Sequence, residues 1–109
     1  MAKRENDYRP FGTEQLQSSH DLVQFGDALT RWRKSLGFTA ELTARRAGIS
    51  PDTLRAIEHG TGSTSLMSVF QVMRVLGVAD EALNAVEPLN SEFGRLVADR
   101  AVRKRVRMP

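Results

Sequence analysis

Apolar residues recur at helical spacing through most of the chain. Leu22, Phe25, Leu29, Trp32 and Leu36 stand three or four positions apart and form one stripe of an amphipathic helix. Ser19 can cap this helix near His20, with Asp21 and Asp27 towards its positive end, and Gly37 closes it. Thr39 caps a second helix, Ala40 to Ala47, and Gly48 supplies a turn. Ser50 followed by Pro51 opens a third helix to about His59, because proline at the first helical position loses no needed N–H. Gly60 stops it, with Leu54 and Ile57 facing inward. Ser65 caps a fourth helix with an inward set of Leu66, Val69, Phe70, Met73 and Leu76, closed by Gly77. Ala79 to Val86 makes a fifth, and Ser91 can cap a last segment with Phe93, Leu96 and Val97. No alternating strand pattern exceeds a few residues. The expectation is an all-α fold: a flexible polar arm over 1–18, a five-helix domain over 19–88, and a short helix with a basic tail over 89–109.

Charge changes this picture. The net charge is +3, but residues 1–90 carry ten Lys/Arg against eleven Asp/Glu, and residues 91–109 carry six against two. The basic character therefore belongs to the C-terminal tail. The 109 residues contain no cysteine, which excludes disulfides and thiolate metal sites and suits a reducing compartment. No apolar run approaches the roughly 20 residues of a membrane span, and the N-terminus lacks the apolar centre of a secretory signal. A cytoplasmic protein is expected. An enzyme is not. No catalytic set, cofactor motif or metal cluster is visible, and His20 and His59, the groups able to titrate near neutrality, have no partner motif.

The second and third helices carry the candidate chemistry. A helix that enters a DNA groove must expose one side and pack the other, so it is short, well capped and joined to its partner by a glycine turn. Ala44 and Ala47 are small enough for close helix approach, and Ile49 can plug the turn into the core. Phe25 to Val78 resembles the helix-turn-helix domain of the lambda and 434 repressor and Cro superfamily, the XRE family. The resemblance rests on Gly26, Leu29, Trp32-Arg33, Gly37-Phe38-Thr39, Ala44, Gly48-Ile49-Ser50, Leu54, Ile57-Glu58-His59-Gly60, Ser65-Leu66 and Leu76-Gly77-Val78. It implies an ion pair between Arg33 and Glu58 and a lambda-repressor-like fold.

The groove-facing positions depart from the family. Ala40 stands where glutamine is usual, and Thr43 where leucine is usual. The base-reading positions correspond to Pro51, Asp52 and Ala56, with Thr53 and Arg55 nearby. Asp52 can accept from cytosine N4 or simply favour the helix N-terminus. Pro51 and Ala56 can touch a thymine methyl. Thr39, Ser50 and Thr53 can bond phosphates, and Arg45, Arg46, Arg55 and His59 can add charge, although His59 also suits the C-terminal dipole of its helix.

In the tail, Arg103, Lys104 and Arg105 extend a basic run able to displace counterions from a duplex or to remain a solvated tail. Its Arg-Lys-Arg-Val-Arg ending resembles the C-terminus of HipB-type antitoxins, which implies a HipA-like kinase toxin as partner. Val78, Leu83, Val86, Leu89, Phe93 and Leu96 can form a dimer contact or close the monomer's core. Together these readings predict a homodimeric repressor binding double-stranded operator DNA. The alternative is a protein-interaction module that neutralises a toxin or enzyme and binds DNA weakly.

Overall fold

The structure is a computed structural model, and it describes residues 12–107. The chain forms six α-helices with no strand among the described residues: α1 Gly12–Ser35, α2 Ala40–Ala47, α3 Pro51–His59, α4 Leu66–Leu76, α5 Ala79–Val86 and α6 Glu92–Arg107, with a 3₁₀ turn at Pro88–Asn90 before α6. Two compact units result, one ending at Leu76 and the other beginning at Gly77.

In the first unit, local signals set the ends of α2 and α3. The Leu42 N–H donates to Thr39 Oγ1 at 3.0 Å, and the Thr53 N–H donates to Ser50 Oγ at 3.1 Å. Gly48 and Gly60 end the two helices in the left-handed conformation. Ser65 caps α4 in the same way, accepting from the Ser68 N–H at 3.0 Å. The core gathers Leu29, Ala44, Ala47, Leu54, Ile57, Val72, Met73 and Leu76. Ala44 and Ala47 are buried, as the close approach of α2 and α3 requires.

Several expectations are corrected. α1 begins at Gly12, not near His20, so residues 12–18 of the expected arm are helical; residues 1–11 lie outside the described residues. No proline interrupts Gly12–Ser35, and Ser19 is simply carried inside the helix. The stripe on α1 is only partly covered. Leu29 is buried, whereas Leu22, Phe25, Trp32 and Leu36 remain exposed, because α3 and α4 cover a narrower strip of α1 than the stripe spans. On α4 the buried set is Val72, Met73 and Leu76. Val69 and Phe70 are half-buried and Leu66, at the first helical position, is 72% exposed. Ile49 is half-buried.

Thr43 is fully buried, in the position where a leucine was the usual residue. Its Oγ1 donates to the Thr39 carbonyl one turn back at 2.9 Å. The hydroxyl is thus satisfied by the cap residue of its own helix, so its burial leaves no polar group without a partner.

In the second unit, Glu87 caps the 3₁₀ turn and Ser91 caps α6, whose Gly94 N–H donates to Ser91 Oγ at 2.8 Å. Gly94 lies against the Pro88 carbonyl so closely that a Cβ there would overlap it. The expected basic tail is helical through Arg107, with Arg103 paired to Asp99 one turn earlier at 3.0 Å.

Candidate nucleic-acid interface

α3 is held to α1 by backbone proximity and by charge. A Cβ on Gly26 would lie 2.5 Å from the Glu58 carbonyl, and one on Gly60 would overlap the Leu22 carbonyl. Two glycines, one inside α1 and one capping the C-terminus of α3, therefore bring α1 and the end of α3 into backbone contact. Beside them, Arg33 Nε donates to Glu58 Oε2 at 2.6 Å and Arg33 Nη2 to Glu58 Oε1 at 3.1 Å. The side chains are only 12% and 11% exposed, so the fork is largely shielded from water. A third donor, Arg33 Nη1, reaches the Phe38 carbonyl at 3.0 Å. One guanidinium thus ties α1 to α3 and to the loop that leads into α2.

The loop is braced from its other side. Arg46 of α2 places its guanidinium carbon 5.4 Å from the centre of the Phe38 ring, within cation–π reach.

With its inner side anchored, α3 presents Pro51, Asp52, Arg55 and His59 on one exposed face, and Thr53 and Ala56 border it half-buried. Asp52 and Arg55 neutralise one another: Arg55 Nη1 donates to Asp52 Oδ1 at 2.6 Å. The open choice for Asp52, between cytosine and the helix terminus, thus gains a third partner that spacing of three on a helix makes available. Ser50 Oγ and Thr53 Oγ1 also bond each other at 2.9 Å, so both hydroxyls are engaged at the cap. Thr39, Ala40 and Arg45 are exposed on and beside α2.

A family model described as a helix-turn-helix domain matches residues 24–86. The chain belongs to this helix-turn-helix family. No curated protein and no solved structure matches it. The matched segment contains the α2–turn–α3 unit and the Arg33–Glu58 fork, so α2 and α3 belong to a DNA-binding helix-turn-helix domain.

The remaining predicted site residues belong to the second unit. Arg103 and Lys104 are exposed on α6, and the side chain of Arg105 falls outside the described residues. Among the described residues, no group of three or more His, Asp or Glu could hold a metal, and no helix is long and apolar enough to cross a membrane. Gly26 and Gly60 are the positioning residues that sequence reasoning missed as contacts. For Gly26 the available signal was a glycine inside a helical pattern, which marks close packing when it is not a terminus; Gly60 read only as a helix stop.

Proposed function

We propose that this helix-turn-helix protein is a transcriptional repressor that binds operator DNA as a homodimer. The observation that carries the reading is the fixed recognition helix. Glycine contacts and a shielded ion pair lock the inner side of α3, and its outer face stands free for the major groove. One such domain makes too small a contact for tight operator binding, so two copies would address half-sites about one helical turn apart.

Specificity in this reading is modest per domain. Pro51 and Ala56 supply apolar contact for thymine methyls, and Arg55 reads a guanine edge once it leaves Asp52. Thr39, Ala40, Arg45, Ser50, Thr53 and His59 line the phosphates, and Arg103, Lys104 and Arg105 of α6 add sequence-independent charge. The test is binding to the DNA upstream of the protein's own gene across a salt series. A steep slope with retained sequence preference supports the repressor; no binding at about 50 mM salt, where phosphate contacts are strongest, refutes it.

A second reading has its own observation. The Asp52–Arg55 pair leaves the recognition face with little net charge, which suits a module that neutralises a partner protein such as a HipA-like kinase toxin. Co-purification with the product of an adjacent kinase gene, combined with absent operator binding, would favour it.

A further inference from the structure

Each compact unit exposes an apolar surface, and the two surfaces are complementary. In the first unit, Leu22 and Phe25 of α1, Ile57 of α3 and Leu66, Val69 and Met73 of α4 wall a cleft of about 550 Å³. That size lies within the range of clefts that enclose a ligand or inserted side chains. The one charged residue on its wall is Asp21, whose Oδ1 accepts from Gln17 Nε2 at 3.0 Å. α1 carries Glu14, Asp21 and Asp27 and no Lys or Arg before Arg31. The cleft therefore sits in an acidic stretch.

In the second unit, α6 uses one face on its own 3₁₀ turn. Gly94 abuts the Pro88 carbonyl, and Arg95 Nη1 donates to the Leu89 carbonyl at 2.9 Å. At 3.6 residues per turn the opposite face carries Phe93, Leu96, Val97 and Arg100. All four are exposed, Phe93 by 74%. This face is apolar for a turn and then cationic.

We propose that the cleft is the docking site for α6 of a second copy of this chain. The helix lies antiparallel to α1, with Phe93, Leu96 and Val97 in the cleft and Arg100 opposite Asp21. It is a helix-in-groove contact made twice about a two-fold axis, each copy giving one helix and receiving one. The occupant is argued from charge and size. The acidic half of α1 meets a helix with six basic and two acidic residues between Glu92 and Arg107. A phenylalanine buries roughly 150–250 Å². With Leu96, Val97 and the cleft walls, counted twice by symmetry, the total is on the order of the 1,200–2,000 Å² of a stable interface. Ile57 and Gly60 line the cleft from α3, so the docked helix braces the recognition helix from behind and leaves Pro51, Asp52, Arg55 and His59 open.

This inference rests on the dimer reading, and its test separates the two. The chain has no cysteine, so introduced thiols report alone. Chains carrying Asp21→Cys and Arg100→Cys are co-expressed with different tags and mildly oxidised, and sedimentation is run on the unsubstituted protein. The expected result is a sedimenting dimer and a disulfide between the two variant chains that neither variant forms alone. Phe93→Ser, at an exposed position, should leave the helical circular-dichroism signal unchanged and raise the dimer dissociation constant at least tenfold. A dimer without the mixed disulfide overturns the docking and leaves the dimer reading standing. A monomer at micromolar concentration overturns both. An intrachain disulfide in a monomeric Asp21→Cys/Arg100→Cys double variant also overturns the docking, because α6 would then lie on its own chain.

Discussion

Arg33 and Glu58, twenty-five positions apart, meet as a two-pronged ion pair at 2.6 and 3.1 Å. The pair is nearly closed to solvent, and the third Arg33 donor holds the Phe38 carbonyl. Its role is positional: it sets where the last turn of α3 lies against α1.

Glu58→Ala should cost about 2–3 kcal/mol, because truncation strands a shielded guanidinium; the full 3–5 kcal/mol belongs to pairs with no water access. Chemical denaturation measures it as a lower midpoint at unchanged slope. A loss under about 0.5 kcal/mol would mean that the fork behaves as an ordinary surface pair.

Gly26→Ala should destabilise the domain although alanine is the better helix former. The added methyl meets the Glu58 backbone, which is not the movable end of a side chain. A gain of the roughly 1 kcal/mol expected from helix propensity alone would show that α1 and α3 are not in backbone contact. The melting temperature of the variant is the readout.

Asp52→Asn should strengthen DNA binding and steepen its salt dependence, by a slope change of about 1 per phosphate newly contacted. The substitution frees Arg55 and removes an anion from the exposed face of α3. Arg55→Ala should do the reverse and also alter base preference. A footprint unchanged by Arg55→Ala would remove that residue from the reading set.

Replacing Arg103, Lys104 and Arg105 together with alanine should lower affinity equally for operator and unrelated duplex and flatten the salt slope. Fluorescence anisotropy on both duplexes separates this from a loss confined to the operator.

Ser50→Ala should cost about 1 kcal/mol, since its hydroxyl accepts the otherwise free Thr53 N–H in the first turn of α3. Thermal melting checks it. A stability equal to that of the parent would place the cap's work elsewhere.

The helix boundaries legible in the sequence are those marked by local chemistry. Thr39, Gly48, Ser50-Pro51, Gly60, Ser65 and Gly77 bound α2, α3 and α4 at the residues expected. Where no stop residue stands, periodicity was silent: nothing in the polar run 12–18 announces that α1 already passes through it. The apolar stripe of α1 also overstated burial. Spacing shows that Leu22, Phe25, Trp32 and Leu36 share a side, but the width of that side covered depends on which helices pack there. Leu66 and Val72 exchange roles for the same reason, since the angle at which α4 meets the core selects among its apolar positions.

The α2–turn–α3 unit, its caps and its family were determined by the sequence alone, because capping, glycine turns and amphipathic spacing act between residues a few positions apart. The Arg33–Glu58 pair was anticipated through resemblance, but its burial and its reach to Phe38 were decided only in three dimensions. So were the backbone contacts at Gly26 and Gly60, the self-satisfied hydroxyl of buried Thr43 and the Asp52–Arg55 neutralisation of the exposed face of α3. Each depends on distance and solvent access across the folded chain, or on the choice among rival partners. Those quantities do not exist until the helices have packed.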